Sequence, residues 1–338
     1  MSSRTSPGAA PLLSVRALTI TVPSPSGEAT VVDGVSFDVT AGEIVALVGE
    51  SGCGKTLTAL ALLDLVPPPL RIASGDVVFA GRDVRSLPRR EKERLRGGGI
   101  GLVFQEPGSA LDPVRTIGSE LVGVLRRHRG LSRSKAREEA VEWLKRVALP
   151  DPERQMDSYP HAMSGGMRQR AMLALALAGG PRLLVADEPT TALDVTIQAQ
   201  ILALLLALRR ELSLAVLLVT HDLGVVAEAA DRALVMYAGE IVENASVRDL
   251  FERPAHPYTR GLLTSRPTAR EGPAGGRLPA LPGSVPEPGS RPHGCAFEPR
   301  CPEAFGRCRA ARPVLQPVPS GASEAACFLL DAPAEVSR

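Results

Sequence analysis

The segment GESGCGKT has the residue types and spacing of a loop that binds nucleotide phosphates. Backbone N–H groups of such a glycine-rich loop turn inward around phosphate oxygens, Lys55 can reach the β- and γ-phosphates, and the Thr56 hydroxyl can ligate Mg²⁺. An apolar run at residues 43–49 precedes the loop and a predicted helix from Lys55 to Leu65 follows it, which is the context this motif requires. The predicted site comprises Gly49, Glu50, Ser51, Gly52, Cys53, Gly54, Lys55 and Thr56.

Four more polar residues follow predicted buried strands. Asp187 ends the apolar run LLVAD, where its carboxylate can hold magnesium, and Glu188 beside it is placed to activate water. Gln105, also a candidate magnesium contact, and His221, a candidate γ-phosphate contact, end two other strands. Because open α/β sheets bind ligands at the carboxyl ends of their strands, we expect these side chains to meet the phosphate loop.

A second anion-binding helix start is predicted at SGGMRQR, where Ser164, Gly165 and Gly166 precede an apolar helix. The phosphate loop already surrounds its own nucleotide, so this helix start has no phosphate in its own chain. The pattern therefore predicts an ATP site shared between two subunits, with hydrolysis releasing them.

Strands alternating with helices predict an α/β core with a mainly parallel sheet. The exception is the block at about residues 106–164, which lacks a convincing strand and is predicted to be a helical insertion. Proline and glycine become dense at 267–292, so we expect a main domain over residues 12–265 and a separate C-terminal element over 266–338.

These motifs resemble the nucleotide-binding subunit of ATP-binding cassette (ABC) transporters, over about residues 12–265. The resemblance implies a P-loop NTPase cassette with a RecA-like parallel sheet core, an antiparallel β subdomain and a helical subdomain. It also implies that Gln105 couples the site to a permease, that Glu188 is the catalytic base, and that Asp194 crosses the dimer interface. The matching segments are Walker A at 49–56, the Q-loop FQEP at 104–107, the signature MSGGMRQR at 163–170, Walker B LLVADE at 183–188, the D-loop TALD at 191–194 and the H-loop THD at 220–222.

Two positions depart from the family pattern. Met163 stands where the family usually has leucine, a swap that keeps volume and apolarity and should have little effect. No aromatic residue lies between residues 12 and 36, where the family usually stacks adenine, so we expect adenine either to rest on an aliphatic residue such as Val31 or Val32 or to be held loosely.

The C-terminal third resembles that of oligopeptide and dipeptide importer ATPases, in HPYTRGLL (256–263), LPGSVPEP (281–288) and GCAFEPRCPEAFGRC (294–308). That branch implies a heterodimer with a second ATPase subunit, two transmembrane permeases and an extracytoplasmic solute-binding protein. Nickel and other small solutes are alternative cargoes within the same branch. The expected location is peripheral, on the cytoplasmic face of the membrane.

Four of the five cysteines crowd into the last third, at Cys295, Cys301, Cys308 and Cys327. Clustered cysteines in a reducing compartment more often bind metal than form disulfides, and four thiolates suit either zinc or a [4Fe–4S] cluster. The missing C-x₂-C knuckle weakens the zinc interpretation, and the resembling branch favours iron–sulfur. Free thiols that pack a proline-rich tail remain the third interpretation.

Composition and sequence pattern argue against several other classes of protein. The net charge of +2 gives no field that would attract nucleic acid, and no apolar run approaches the ~18 residues of a membrane span. The N-terminal sequence lacks the charged-then-apolar pattern of a secretion signal. A DNA- or ribosome-acting ABC ATPase would show coiled coils or two cassettes, and a small-molecule kinase would leave the signature and His221 without a purpose.

Overall fold

A computed structural model describes residues 10–25, 27–105, 110–190, 194–265, 281–319, 321 and 323–331. Within these residues the chain forms two sheets, with helices packed around the larger one. The strands are β1 (Leu13–Ser24), β2 (Gly27–Val39), β3 (Ile44–Val48), β4 (Arg71–Phe79), β5 (Arg82–Asp83), β6 (Ile100–Val103), β7 (Leu183–Asp187), β8 (Ala215–Thr220), β9 (Arg232–Tyr237), β10 (Glu240–Ser246), β11 (Gln316–Pro317) and β12 (Glu324–Ala325). The α-helices are α1 (Lys55–Ala61), α2 (Arg89–Gly98), α3 (Ile117–Arg129), α4 (Arg133–Arg146), α5 (Pro152–Gln155), α6 (Gly165–Ala178), α7 (Val195–Leu212), α8 (Leu223–Ala229), α9 (Val247–Glu252), α10 (Pro257–Thr264) and α11 (Gly306–Ala310).

The larger sheet has the strand order β11-β12-β10-β9-β3-β8-β7-β6, and its β9-to-β6 half is parallel. Strands β3, β7 and β8 are buried along their whole length, which explains their continuous apolar sequences. Val48 pairs with Thr220, and Val103 pairs with Ala186, so the carboxyl ends of these strands lie level. The mainly parallel α/β core expected from the sequence is confirmed.

The smaller sheet is antiparallel, in the order β2-β1-β4-β5. Strand β4 pairs with β1 on one side and with β5 on the other, so the sheet edge falls on the two-residue strand β5. Helix α1 is shorter than predicted, ending at Ala61 rather than Leu65.

The described residues 110–164 contain helices and no strand, as the sequence predicts for the insertion. Helices α3 and α4 are separated by Gly130, which adopts a left-handed conformation at φ 66° and ends α3. Their apolar faces pack around Trp143, which is 2% exposed, and against helix α6. The helix that carries the signature is therefore held by the insertion.

The C-terminal residues join the larger sheet instead of standing apart from it, because β12 pairs with β10 and β11 pairs with β12. Phe297 inserts against Tyr237 of β9 and Tyr258 of α10, with ring centroids 5.2 and 5.4 Å away. We call these three side chains the aromatic cluster; each is buried. The first part of the proline- and glycine-rich segment, residues 266–280, lies outside the described residues.

None of the helices in the described ranges is long and apolar enough to cross a membrane.

Candidate active site

The phosphate loop leaves β3 and enters α1 through glycines with positive φ. Gly49 has φ 158° and Gly54 has φ 105°. A Cβ on Gly49 would lie 2.2 Å from the Met236 carbonyl oxygen, and one on Gly54 would lie 2.9 Å from the Met236 methyl carbon. The close approach of the β9 backbone requires glycine at position 49, whereas at position 54 the positive φ favours glycine, because the end of the Met236 side chain could shift.

Lys55 is 5% exposed, and its ammonium group lies inside the curl of the loop. Its Nζ donates hydrogen bonds to the carbonyl oxygens of Gly49 at 2.9 Å and Glu50 at 3.0 Å. The cation is thus held at the centre of the loop, where bound phosphates would meet it.

Thr56 and Asp187 form the oxygen set expected for magnesium. The Thr56 hydroxyl hydrogen-bonds to the Asp187 carboxylate, and burial raises the pKa of that carboxyl. Asp187 Oδ1 is buried without a hydrogen-bond partner, which is costly for a carboxylate unless a cation satisfies it. Magnesium is commonly held by one or two protein oxygens together with substrate phosphates, so these residues fit that ion.

Glu188 is held between two side chains that come from neighbouring strands. Gln105 Nε2 donates to Glu188 Oε2 at 2.9 Å, and His221 Nδ1 lies 2.9 Å from Oε1. The Glu188 backbone is left-handed, with φ 46°, and its N–H donates to the Val219 carbonyl oxygen at 2.8 Å. Strained backbone of this kind is typical of functional sites.

The structure therefore brings Gln105, Asp187, Glu188 and His221 to the edge that carries the phosphate loop. The remaining Q-loop residues, Glu106 and Pro107, lie outside the described residues.

Ser164 begins the signature helix α6 and caps it, because its Oγ accepts a hydrogen bond from the Met167 N–H at 3.3 Å. Met163 is 4% exposed and packs in the core, in agreement with an apolar role. A Cβ on Gly166 would lie 3.0 Å from Ile197 Cγ2, so helix α7 approaches the signature closely. Ser164 itself is exposed, and Gly165 is half-buried.

Asp194 caps helix α7 by accepting the Ile197 N–H at 2.9 Å. The residue is exposed, as is Val195 beside it, at 83%. The rest of the D-loop, residues 191–193, lies outside the described residues.

A groove of about 580 Å³ lies beside the phosphate loop, between Ser51 and His221. Its far wall is made by the C-terminal region, through Leu262 and residues 283–285. The signature residues Ser164–Gly166 are not among the residues that line it. The chain's own phosphate loop thus faces a groove that its own signature does not enter.

Sequence reasoning missed two residues of this site, Tyr258 and Arg300. The Tyr258 hydroxyl accepts a hydrogen bond from the Glu50 N–H at 3.0 Å, and Arg300 forms an ion pair with the Glu50 side chain. Both lie inside segments that resemble the importer C-terminal region, HPYT and EPRC, but no local pattern connects them to a loop more than 200 positions earlier.

Of the two residues predicted to contact adenine, the structure argues against Val32, and Val31 stays a prediction. Val32 is fully buried and packs in the core cluster beneath the smaller sheet, so it cannot support a base. Val31 is half-buried. Cys53 is also fully buried, and burial raises the pKa of its thiol, so it packs the loop from below.

The cysteines Cys295, Cys301, Cys308 and Cys327 line one small enclosed cavity. Burial raises the pKa of Cys295 to about 11 and also raises the pKa of Cys301 and Cys327. Across the described ranges, no three His, Cys, Asp or Glu side chains are grouped so that they could hold a metal ion. The geometry therefore does not reproduce the ligand set that we expected for zinc or iron–sulfur.

Comparisons with known proteins identify the family of this chain. The ABC transporter family model matches residues 32–191, and the model of the oligopeptide/dipeptide transporter C-terminal region matches residues 242–308. The chain is 49% identical to a probable peptide ABC transporter ATP-binding protein of Sinorhizobium fredii, over 97% of this chain and 98% of that protein. It is 48% identical to the oligopeptide transport ATP-binding protein AppD of Bacillus subtilis, over 89% and 91% of the two chains. It is 42% identical to the dipeptide transport ATP-binding protein DppD of Escherichia coli, over 95% and 97%.

Solved structures with the same fold include a dimeric ATP-binding cassette in a post-hydrolysis state with ADP and Pi, at TM-score 0.62 and 29% identity, covering 70% of this chain and 99% of that one. A Clostridium perfringens component of the ABC transporter complex cbiONQ matches at TM-score 0.61 and 25% identity, covering 72% and 92%. With its phosphate loop, Walker B carboxylates and signature helix assembled on this fold, the chain belongs to the ATP-binding subunits of ABC transporters, in the branch that carries the oligopeptide/dipeptide C-terminal region.

Proposed function

We propose that this chain is the ATP-hydrolysing motor of a membrane importer for dipeptides or oligopeptides. The observation that carries the ATPase assignment is the Glu188 carboxylate, held between Gln105 and His221 at the edge that bears the phosphate loop. The peptide cargo is supported by the relatives, which are named as peptide, oligopeptide and dipeptide transport proteins. Nickel and other small solutes are the alternative cargoes.

In the proposed reaction Glu188 accepts a proton from a water molecule as the water oxygen bonds to the γ-phosphorus. The bond from the γ-phosphorus to the oxygen that bridges the β- and γ-phosphates breaks, and ADP and phosphate leave. Lys55 neutralises charge on the β- and γ-phosphates, while Gln105 and His221 orient the Glu188 carboxylate and the water. Magnesium, bound by Thr56 and Asp187, would neutralise charge on the transferred group.

We propose that Ser164, Gly165 and Gly166 complete the site of a second subunit. Three observations support this: the signature does not line the groove beside its own phosphate loop, Ser164 is exposed at a helix start, and Asp194 is exposed beside Val195. A related cassette is dimeric in its post-hydrolysis structure. The partner is a second copy or, as the branch implies, a sibling ATPase.

We propose that the complex contains two permease subunits and that one of them docks beside Gln105 of this chain. A groove of about 570 Å³ lies between the sheet and the helical insertion, and it is lined by Leu65, Phe104, Leu111 and Val124 among others. Phe104 is 42% exposed there, a large apolar side chain immediately before Gln105. A helix docked in this groove would sense motion of the Gln105 segment. This arrangement would hold the chain on the cytoplasmic face of the membrane, beneath permeases fed by an extracytoplasmic binding protein.

The four C-terminal cysteines are proposed as thiolate ligands of a [4Fe–4S] cluster, with zinc as the alternative. The support is that all four side chains line one cavity. The described arrangement holds no ready ligand group, so the ligands would have to move on binding. Anaerobic purification followed by iron and sulfide analysis tests the proposal, and protein with neither iron nor zinc removes it.

The importer assignment is tested by co-expressing the chain with its genomic neighbours. We expect two polytopic membrane proteins to co-purify with it, and vesicles made from the complex to take up labelled peptide when ATP is present. A matched assay with Ni²⁺ separates the alternative cargo. An ATPase that purifies without membrane proteins, or a complex that transports neither cargo, would contradict the assignment.

A further inference from the structure

The C-terminal region reaches into the phosphate loop through a buried arginine. Arg300 donates from Nη1 to Glu50 Oε2 at 2.7 Å and from Nη2 to Glu50 Oε1 at 3.0 Å, a two-pronged ion pair. Its Nε donates to the Pro282 carbonyl oxygen at 2.7 Å. The Arg300 side chain is 5% exposed, so its orientation is fixed by these contacts.

The aromatic cluster supports the guanidinium group of Arg300. The Arg300 Cζ lies 5.7 Å from the ring centroid of Tyr237 and 5.9 Å from that of Phe297. Tyr258, the third member, accepts the Glu50 N–H through its hydroxyl. Glu50 is therefore held at its side chain and at its backbone by residues packed in one cluster.

Glu50 is connected in turn to the groups that meet phosphate. Its carbonyl oxygen accepts hydrogen bonds from Lys55 Nζ at 3.0 Å and from the Cys53 N–H at 3.3 Å. A shift of Glu50 would therefore move the curl of the loop and the ammonium group inside it. Without Arg300, the Glu50 carboxylate would also be an uncompensated negative charge in a loop that binds a polyanion.

We propose that Arg300 is a positioning residue of the ATP site, which neutralises Glu50 and fixes the phosphate loop in its nucleotide-binding shape. The C-terminal region is then a working part of the ATPase. This inference rests on the proposed ATP site. It means that tight ATP binding requires Arg300 in addition to the residues of the Walker and signature motifs.

The test measures binding of the non-hydrolysable analogue AMP-PNP, with Mg²⁺, to the full-length chain by titration calorimetry. We expect Arg300→Met to weaken binding on the order of tenfold, since it leaves Glu50 charged and untethered beside the triphosphate. Arg300→Lys keeps the charge but loses the two-pronged geometry, so it should recover part of the loss. The double variant Arg300→Met with Glu50→Gln removes both charges and should bind more tightly than Arg300→Met alone.

Arg309→Met is the matched control, because Arg309 pairs with Glu298 in the same segment but is 74% exposed. It should bind AMP-PNP like the wild type. In the assembled ATPase, Arg300→Met should raise the KM for ATP more than it lowers kcat, which a general loss of folded protein would not do.

Wild-type binding of AMP-PNP by a folded Arg300→Met chain would overturn the inference. So would a double variant that binds no better than Arg300→Met, since the two side chains would then act independently. If Arg300→Met does not fold, Arg300→Lys should still bind AMP-PNP more weakly than the wild type, and wild-type affinity of Arg300→Lys would then overturn the inference. A wild-type chain that binds no AMP-PNP would refute the proposed ATP site itself, a separate result.

Discussion

Replacing Glu188 with glutamine isolates the proton-accepting function of this side chain. Glutamine has nearly the same shape, and its amide keeps one oxygen that can accept a hydrogen bond. The contacts to Gln105 and His221, both at 2.9 Å, can re-form because the Gln105 amide can turn over and either imidazole nitrogen can carry the proton. We therefore expect the fold, the magnesium oxygens and ATP binding to survive Glu188→Gln.

The rate of ATP hydrolysis, in contrast, should fall strongly in Glu188→Gln. A positioned base contributes about 10²–10⁴-fold. At about 1.4 kcal/mol for each factor of ten, this is a barrier increase of roughly 3–5 kcal/mol. Because binding is preserved while turnover stops, the variant should accumulate as an ATP-bound dimer with its partner subunit.

The assay compares phosphate release, AMP-PNP binding and size-exclusion elution for the wild-type and Glu188→Gln ATPase. Glu211→Gln is the control, since Glu211 lies on the exposed side of α7 with its side chain 52% exposed. It should leave all three readouts unchanged. Turnover of Glu188→Gln within a few-fold of wild type would show that another group accepts the proton.

Three further predictions concern the metal site, the helical insertion and the buried His256 that precedes α10. Asp187→Asn removes the charge of the buried carboxylate, so the magnesium concentration for half-maximal ATPase activity should rise at least several-fold, measured by titrating Mg²⁺ at fixed ATP. Trp143→Ala empties the core between α3, α4 and α6, so urea unfolding should show a loss of about 3–5 kcal/mol; a loss below about 1 kcal/mol would contradict that packing. Burial lowers the pKa of His256 to about 3, and its Nδ1 accepts the Tyr258 N–H at 3.0 Å, so the folded state keeps this imidazole neutral. The unfolded chain takes up the proton below about pH 6.5, so His256 should reduce stability as pH falls from there towards 3, by up to about 1.4 kcal/mol per pH unit. His256→Gln should flatten that slope between pH 7 and 5, and an unchanged slope would assign it to other groups.

The sequence was sufficient to predict the parallel core because its signals are local. An apolar run such as residues 183–187 can only be a buried strand in this context, and a polar residue that follows it must lie at the sheet edge. Gln105, Glu188 and His221 lie close together because they follow β6, β7 and β8, which are neighbours in the sheet. The left-handed backbone of Glu188, by contrast, could not be predicted from any sequence pattern.

Contacts between distant segments were not predictable in the same way. Val32 alternates in a strand like Val31, and only the packing of the smaller sheet decides which of them is buried. Arg300 belongs to an arginine-rich chain, and nothing in its neighbours distinguishes it from an exposed charge. Its partner Glu50 lies 250 positions earlier, so their pairing is a property of the tertiary fold.

The long sequence separation between Glu50 and its partners also affects folding during synthesis. Domains tend to fold from the N-terminus as the chain emerges during synthesis. The phosphate loop emerges early, but Tyr258 follows Glu50 by 208 positions and Arg300 follows it by 250. All the nucleotide-binding motifs of a nascent chain are therefore synthesised before Tyr258 and Arg300 can contact Glu50. A product truncated before residue 300 would carry the Walker and signature motifs but lack the Arg300–Glu50 ion pair, so on the inference above its phosphate loop would bind nucleotide more weakly.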